Sequence, residues 1–260
     1  MSCNQPYFQG LLGAVKDTWA KPIIQGRYNN VMWFGYTSCD NHHPKPCIDF
    51  NEHMIYVDSN DELGFTYDKT QKAYELIKNV LDFNYVVRTN TSLFVNVDKL
   101  IEHVNSLDDR YIMGRFYNYH LNNKFYLTIC GFFFGMSKYL FDISMTASND
   151  YVKDENGNSI SFDDDRILTK RLFDVIDLNS VYTTDVLGII QVYKGISPND
   201  ISITSLKNIE ELQKINVTDN PDVINDNIMV KVRTLYSNED RIEKGHEIEH
   251  MYELYNVLKK

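Results

Sequence analysis

Tyr85-Val86-Val87-Arg88-Thr89-Asn90-Thr91-Ser92-Leu93-Phe94-Val95-Asn96 sets a polar knot between two apolar runs. Three β-formers in succession, Tyr85 to Val87, carry the pattern of a buried strand. Arg88 to Ser92 then interrupt it, and Leu93 to Val95 resume it. A polar cluster at the carboxyl end of a buried strand is the place where open α/β sheets hold their ligands. The stretch therefore predicts an α/β fold with its chemistry near residues 88–92.

Working outward, apolar periodicity predicts a helix over 67–81, where Ala73, Leu76, Ile77, Val80 and Leu81 share one face. A second helix is predicted over 97–107. Residues 11–20 read as a helix that Pro22 breaks. Strands are expected over 30–36, 53–58 and 125–134, then over 186–193 and 228–235. Helices are expected over 137–145, 166–176 and 240–260. Residues 148–161 read as a surface loop and 216–226 as a flexible connection. Strand–helix alternation early and irregular segments later fit one domain over 1–260. Its donor-binding half would span about 1–110. An acceptor half with a C-terminal helix would span about 111–260.

The chain has 260 residues, 43% hydrophobic and 24% charged, as a folded globular protein requires. A formal net charge of -10 with no basic patch argues against nucleic acid and against anionic membranes. Four cysteines are too few for a disulfide scaffold. No run is long enough for a transmembrane helix, and the first residues lack the pattern of a signal peptide. A cytoplasmic location is therefore expected. Asn90-Thr91-Ser92 and Asn216-Val217-Thr218 are glycosylation sequons. In a secretory protein the first would carry a sugar inside its own predicted site, which again favours the cytosol. The abundance of Asn, Ile, Lys, Asp and Tyr matches AT-rich coding sequences, as in many viruses and some bacteria.

Several fragments, in order, resemble the fringe and β-1,3-galactosyltransferase superfamily of GT-A glycosyltransferases. Val15-Lys16-Asp17-Thr18-Trp19-Ala20 is similar to the family's Arg-x-Thr-Trp. Val31-Met32-Trp33-Phe34-Gly35 looks like its second strand. Tyr67-Asp68-Lys69-Thr70 resembles a Leu-Thr-x-Lys-Thr helix start. Residues 88–96 stand where the family has Lys-x-Asp-Asp-Asp-x-Phe-Val-Asn. Cys130-Gly131 with Ser137 resembles Ser-Gly-x-Gly-Tyr-x-x-Ser on the acceptor side. The resemblance spans about residues 10–170.

The resemblance implies a GT-A fold: a Rossmann-like, nucleotide-sugar-binding α/β domain with a central, mostly parallel sheet and a decorated C-terminal half. It implies transfer of a hexosyl or related unit from a nucleotide sugar, usually a UDP-sugar, to a glycan hydroxyl with inversion. Lys16, Asp58, Lys69, Arg88, Asn90 and Ser92 would line the donor site, and Gly131 the acceptor wall. The general base would be Asp164 or Asp165, in the acidic run Asp163-Asp164-Asp165 at a helix start, with Asp185 in reserve. The implied cofactor is Mn²⁺ or Mg²⁺. It would be weakly held, because Asn90, Thr91 and Ser92 replace the family's carboxylates. Three outcomes stay open: the nucleotide holds the metal, Arg88 and Lys16 replace it as cations for the leaving group, or transfer is lost. The last would leave a non-catalytic nucleotide-sugar-binding or assembly protein. The family also has a core strand ahead of the position of Ser2-Cys3, so a trimmed domain is one expectation.

Two further constellations compete. Cys39, His42, His43 and Cys47 carry the residue types of a zinc site on a loop stiffened by two prolines, against the reading of a solvated loop. His246 and His250, four apart on the last predicted helix, share a face as metal ligands would and could complete a metal shell, although a charged surface helix is the plainer reading.

Overall fold

The computed structural model describes residues 6–61, 65–107, 109–121, 124–146, 182–185, 189–192, 229–232 and 247–258, together with Leu168 and Leu172. The chain sorts into two compact units that interleave in sequence. The first contains Phe34–Asn90 and Asn105–Asp185, and so runs across position 110. The second contains Gln5–Trp33, Thr91–Val104 and Val186–Lys260.

In the first unit, β1 (Gly35–Ser38) pairs in parallel with β3 (Met54–Val57), and β2 (Cys47–Asp49) pairs antiparallel to β3 on its other side. Helix α3 (Thr66–Val80) packs on β1 and β3. Its Ala73 closes against Tyr36, Ile55 and Val57, as the periodicity predicts. The Tyr36 hydroxyl lies 3.0 Å from Thr70 Oγ1, so this polar group on an apolar face has a partner.

A four-stranded sheet completes this unit, in the order β4 (Tyr85–Thr89), β7 (Lys124–Ser137), β6 (Tyr111–Leu121), β8 (Tyr182–Asp185). Strands β6 and β7 form a long hairpin that closes with Leu121 opposite Lys124. Helix α5 (Lys138–Thr146) follows β7 directly and packs back on it. The core joins Ile112, Ile129, Phe134 and Met136 of the sheet to Leu140 and Phe141 of α5 and to Tyr74 of α3. Leu168 and Leu172, spaced as on one helix face, are buried in the same core. Helix α3 thus contributes to both apolar clusters of the unit.

In the second unit, Pro6 opens α1 (Pro6–Asp17), where a missing N–H costs nothing, and Leu11, Leu12, Ala14 and Val15 are its buried residues. The Thr18 hydroxyl donates to the Ala14 carbonyl at 2.6 Å as the helix ends. A short α2 (Lys21–Ile24) then takes Pro22 in its first turn, so Pro22 sits inside a helix rather than ending one. Strand β5 (Leu93–Val95) pairs antiparallel to β10 (Met229–Val232), which pairs in parallel with β9 (Ile189–Val192). Helix α4 (Val97–Asn105) follows β5, and α6 (Glu247–Leu258) packs on α1. That crossing is close at Gly10, where an added Cβ would lie 2.9 Å from Ile248 Cδ1.

The α/β class is present. The described strands, however, form three small mixed sheets rather than one mostly parallel sheet, with both parallel and antiparallel pairs in each. The reason is connectivity: hairpins such as β6–β7 and β2–β3 force antiparallel neighbours. The strand expected over 30–36 lies later, at Gly35–Ser38, because its parallel partner begins at Met54 opposite Gly35. Ahead of it the aromatic run is irregular, and Met32 is 68% exposed. The loop over 148–161, the connection over 216–226 and, apart from Leu168 and Leu172, the helix over 166–176 lie outside the described residues.

Candidate functional site

Parallel pairing puts the carboxyl ends of β1 and β3 at one edge, where the backbone N–H of Cys39 donates to the Val57 carbonyl at 2.8 Å. Ser38 ends β1, Asp58 follows β3, and Asp61 precedes α3. Lys69 reaches this edge from the first turns of α3. Its side chain is 2% exposed, and its ammonium lies 2.7 Å from Asp61 Oδ1. The Ser38 hydroxyl donates to the same oxygen at 3.2 Å. One carboxylate oxygen therefore collects a hydroxyl and a buried ammonium, which ties β1 to α3 across the segment after β3. Lys72, one turn later, pairs with Asp68 at 3.0 Å and donates to the Asp58 carbonyl. The Asp58 side chain itself is exposed.

Arg88 and Thr89 belong to β4 rather than to a loop after it. Arg88 stands opposite Phe134 of β7, and its guanidinium lies 5.7 Å from the centre of that ring, a cation–π distance. The residue is only 5% exposed. Asn90 follows, half-buried, and Thr91 and Ser92 are 8% and 5% exposed. Here the chain leaves the four-stranded sheet and enters β5 of the other unit. The polar knot is thus a junction between sheets. Its neutral oxygens, two of them on buried side chains, do not fit a hard divalent cation, which takes oxygen ligands rich in carboxylate.

Gly131 lies in β7 at an irregularity: Gly114 pairs with Phe134 but Phe116 pairs with Ile129, so residues 130–133 stand opposite Arg115 alone. Asp58, Lys69, Arg88, Asn90 and Gly131 belong to the first unit. Lys16, half-buried in the last turn of α1, and Ser92 belong to the second. Asp185 is the last residue of β8, in parallel register with Gly114, and the next described element is strand β9. Asp163, Asp164 and Asp165 lie outside the described residues, as does His246. His250 falls in α6, with its side chain outside the described set.

No protein-family model matches this chain, and no curated protein matches it either.

Sequence reasoning missed a cleft of about 470 Å³ in the second unit. Trp19, Pro22 and Phe94 give it apolar walls, and Tyr28, Asp98 and Glu102 bring polar groups. The Tyr28 hydroxyl donates to Asp98 Oδ1 at 2.7 Å, and Arg27 lies 3.5 Å from Oδ2 of the same carboxylate. Burial, and then the Asp98 carboxylate, push the Tyr28 phenol up to about 12. The available signal was Trp19 together with the residues just past β5, read only for a resemblance.

The loop of Cys39 to Cys47 also differs from its sequence reading. Burial raises both thiols, as do nearby carboxylates, Asp58 for Cys39 and Asp49 for Cys47, and this disfavours the thiolates zinc would need. The imidazole of His43 instead turns toward Asp49 and Glu52. Among the described residues, these three form the group whose ligand atoms lie close enough to share an ion, all within 4.8 Å of one another.

Proposed function

We propose that this chain is a nucleotide-sugar-dependent glycosyltransferase of GT-A type, moving a sugar from a UDP-sugar or related donor to a glycan hydroxyl with inversion. One observation carries the reading. The parallel pair β1 and β3 ends at a single edge furnished with Ser38, Asp58, Asp61 and Lys69, with α3 laid on the same strands. That is where α/β sheets receive nucleotides. Lys69, closed off by Asp61, holds the edge in place, while the exposed Asp58 carboxylate suits a ribose or sugar hydroxyl.

In this reading Asp164 or Asp165 removes the acceptor proton, with Asp185 in reserve. A cationic side chain, Arg88, neutralises the departing diphosphate in this reading, because the donor set of residues 90–92 does not suit a metal. No described helix is long and apolar enough to cross a membrane, and the acidic balance of the chain disfavours nucleic acid. The proposed partners are therefore the donor and a glycan acceptor.

A second reading is favoured by the burial of Lys69, Thr91 and Ser92. It is a non-catalytic nucleotide-sugar-binding or assembly protein on the same scaffold. Thermal-shift measurements with UDP-, GDP- and dTDP-sugars, each with Mn²⁺ and with chelator, test both, since a ligand of the native state raises Tm. A shift with one nucleotide class, insensitive to chelator and accompanied by release of the nucleoside diphosphate on adding glycans, supports the transferase. A shift without turnover supports the second reading. No shift with any donor refutes the transferase and leaves the non-catalytic assembly protein.

A further inference from the structure

The loop between β1 and β2 and the turn between β2 and β3 bring three potential ligands together. His43 Nε2 lies 3.3 Å from Asp49 Oδ2. The Glu52 carboxylate completes the group. Metal–ligand bonds of about 2.0–2.2 Å bring ligand atoms to about 3–3.5 Å of one another, so the His43–Asp49 pair already stands at coordination spacing. Glu52 is exposed, and with its ligand atom within 4.8 Å of the other two it needs only a small movement.

Each ligand is held by other groups. The His43 ring stacks flat on Tyr56, centroids 3.8 Å apart and planes 8° from parallel, so the imidazole plane is set by the core strand β3. Its other nitrogen, Nδ1, lies 3.6 Å from Asp40 Oδ1, just beyond hydrogen-bond distance, so a small shift would give the carboxylate–histidine arrangement found behind metal-bound imidazoles. Asp40 is anchored in turn by the backbone N–H groups of His42 and His43 at 2.8 and 2.7 Å. Asp49 Oδ1 accepts the N–H groups of Asn51 and Glu52 at 2.8 and 2.9 Å, which leaves Oδ2 aimed at His43. The Tyr56 hydroxyl donates to Glu52 Oε2 at 2.6 Å, and a carboxylate can accept that bond and bind a cation at once.

We propose that His43, Asp49 and Glu52 form a binding site for a divalent transition-metal ion. The donor set is one imidazole nitrogen and two carboxylates, with solvent completing the shell. An imidazole favours zinc, cobalt or nickel over magnesium and calcium. This site differs from the zinc site suggested by Cys39 and Cys47, since it uses no thiolate. It stands independently of the proposed transferase activity. It pins the β1–β2 loop to the β2–β3 turn, so metal binding stabilises this part of the fold by linkage.

The test uses the full chain, titrated with Zn²⁺ by calorimetry and with Co²⁺ by absorption, Mg²⁺ serving as the contrast. One ion per chain is expected, with no thiolate-to-cobalt charge-transfer band. H43A should weaken binding by more than about 100-fold. E52Q, at an exposed side chain that does not threaten folding, should weaken it by at least about tenfold, and Y56F, which removes only a supporting hydroxyl, by about tenfold. H42A and the double variant C39S/C47S should bind as the wild type does. Wild-type affinity in both H43A and E52Q, a charge-transfer band that disappears in C39S/C47S, or equal binding of Mg²⁺ would each overturn the assignment.

Discussion

Removing the carboxylate of Asp61 should destabilise the protein far more than removing the ammonium that it neutralises. Lys69 is 2% exposed and Asp61 26%, with 2.7 Å between the charges. Breaking a buried ion pair from one side costs about 3–5 kcal/mol, because it strands the other charge away from water. In D61A the stranded charge is the ammonium of Lys69, which α3 holds inside. The Ser38 hydroxyl can turn toward it and recover part of the loss, which places the cost at about 2–4 kcal/mol. In K69M the stranded charge is Asp61, which already reaches water and keeps the Ser38 hydroxyl as donor. Methionine fills most of the lysine volume, so the expected cost is about 0–1.5 kcal/mol. Urea unfolding of the two variants and of the double variant D61N/K69M reads these differences directly. In a chain of this size D61A should lower Tm by about 5–15 °C. The double variant should be more stable than D61A, because the stranded charge is gone. If K69M proved as damaging as D61A, or D61A lay within about 0.5 kcal/mol of the wild type, the burial argument would be wrong.

Other consequences can be measured separately. In G114A the new Cβ would lie 2.4 Å from Ile129 Cγ2 and 3.2 Å from the Phe133 carbonyl. A loss of about 1–3 kcal/mol is expected in denaturant unfolding, with partial rescue in G114A/I129A, and additivity of the two losses would count against the clash. Asp142 pairs with Lys138 at 3.0 Å and with Lys78 at 3.3 Å, and the Lys138 hydrogen bond is the main cause of its lowered pKa. The folded pKa lies below the unfolded one, so the stabilisation is complete above the unfolded value and disappears as pH falls through the folded value. D142N should therefore lose about 0.5 kcal/mol at pH 7, small because the pair is well exposed; the difference should start to shrink below about pH 4 and vanish only below the lowered folded value. Phenolate absorption should show Tyr28 titrating near 12 in the wild type. In D98N it should titrate lower without returning to the ordinary tyrosine value, since burial is the larger cause. No change on removing Asp98 would contradict the hydrogen bond.

Much of the secondary structure was legible in the chain. The helix predicted over 67–81 is α3, Thr66–Val80, because five apolar residues at helical spacing leave a strand no consistent face. Strand β3 and the helices after β5 and β7 were read within a few residues. Strand β6 was missed, although residues 111–121 are rich in β-formers. Gly114, Arg115, Asn118 and His120 break the apolar pattern, and only pairing along β7 makes such a segment a strand.

The candidate site was legible as residue types, not as an arrangement. Asp58 and Lys69 were named from the chain, but Ser38 and Asp61, which complete that edge, were not. Neither belongs to a motif, and they meet Lys69 only because β1 and β3 pair in parallel beneath α3. His43 was named as a partner for cysteines. The structure sets it beside Asp49 and Glu52, because a tight turn caps itself with the Asp49 side chain and the Tyr56 ring fixes the imidazole.

Residues 85–96 show the division most plainly. Local pattern was enough to establish two apolar strands and a polar break, since strand burial depends on side chains a few positions apart. Which sheet each strand joins depends on partners far along the chain: Ser137 to Phe133 for β4, and Met229 to Lys231 for β5. Those pairings carry the chain from β4 to β5 with Thr91 and Ser92 buried at the break. They arise from long-range hydrogen bonding and core packing, which no local periodicity encodes.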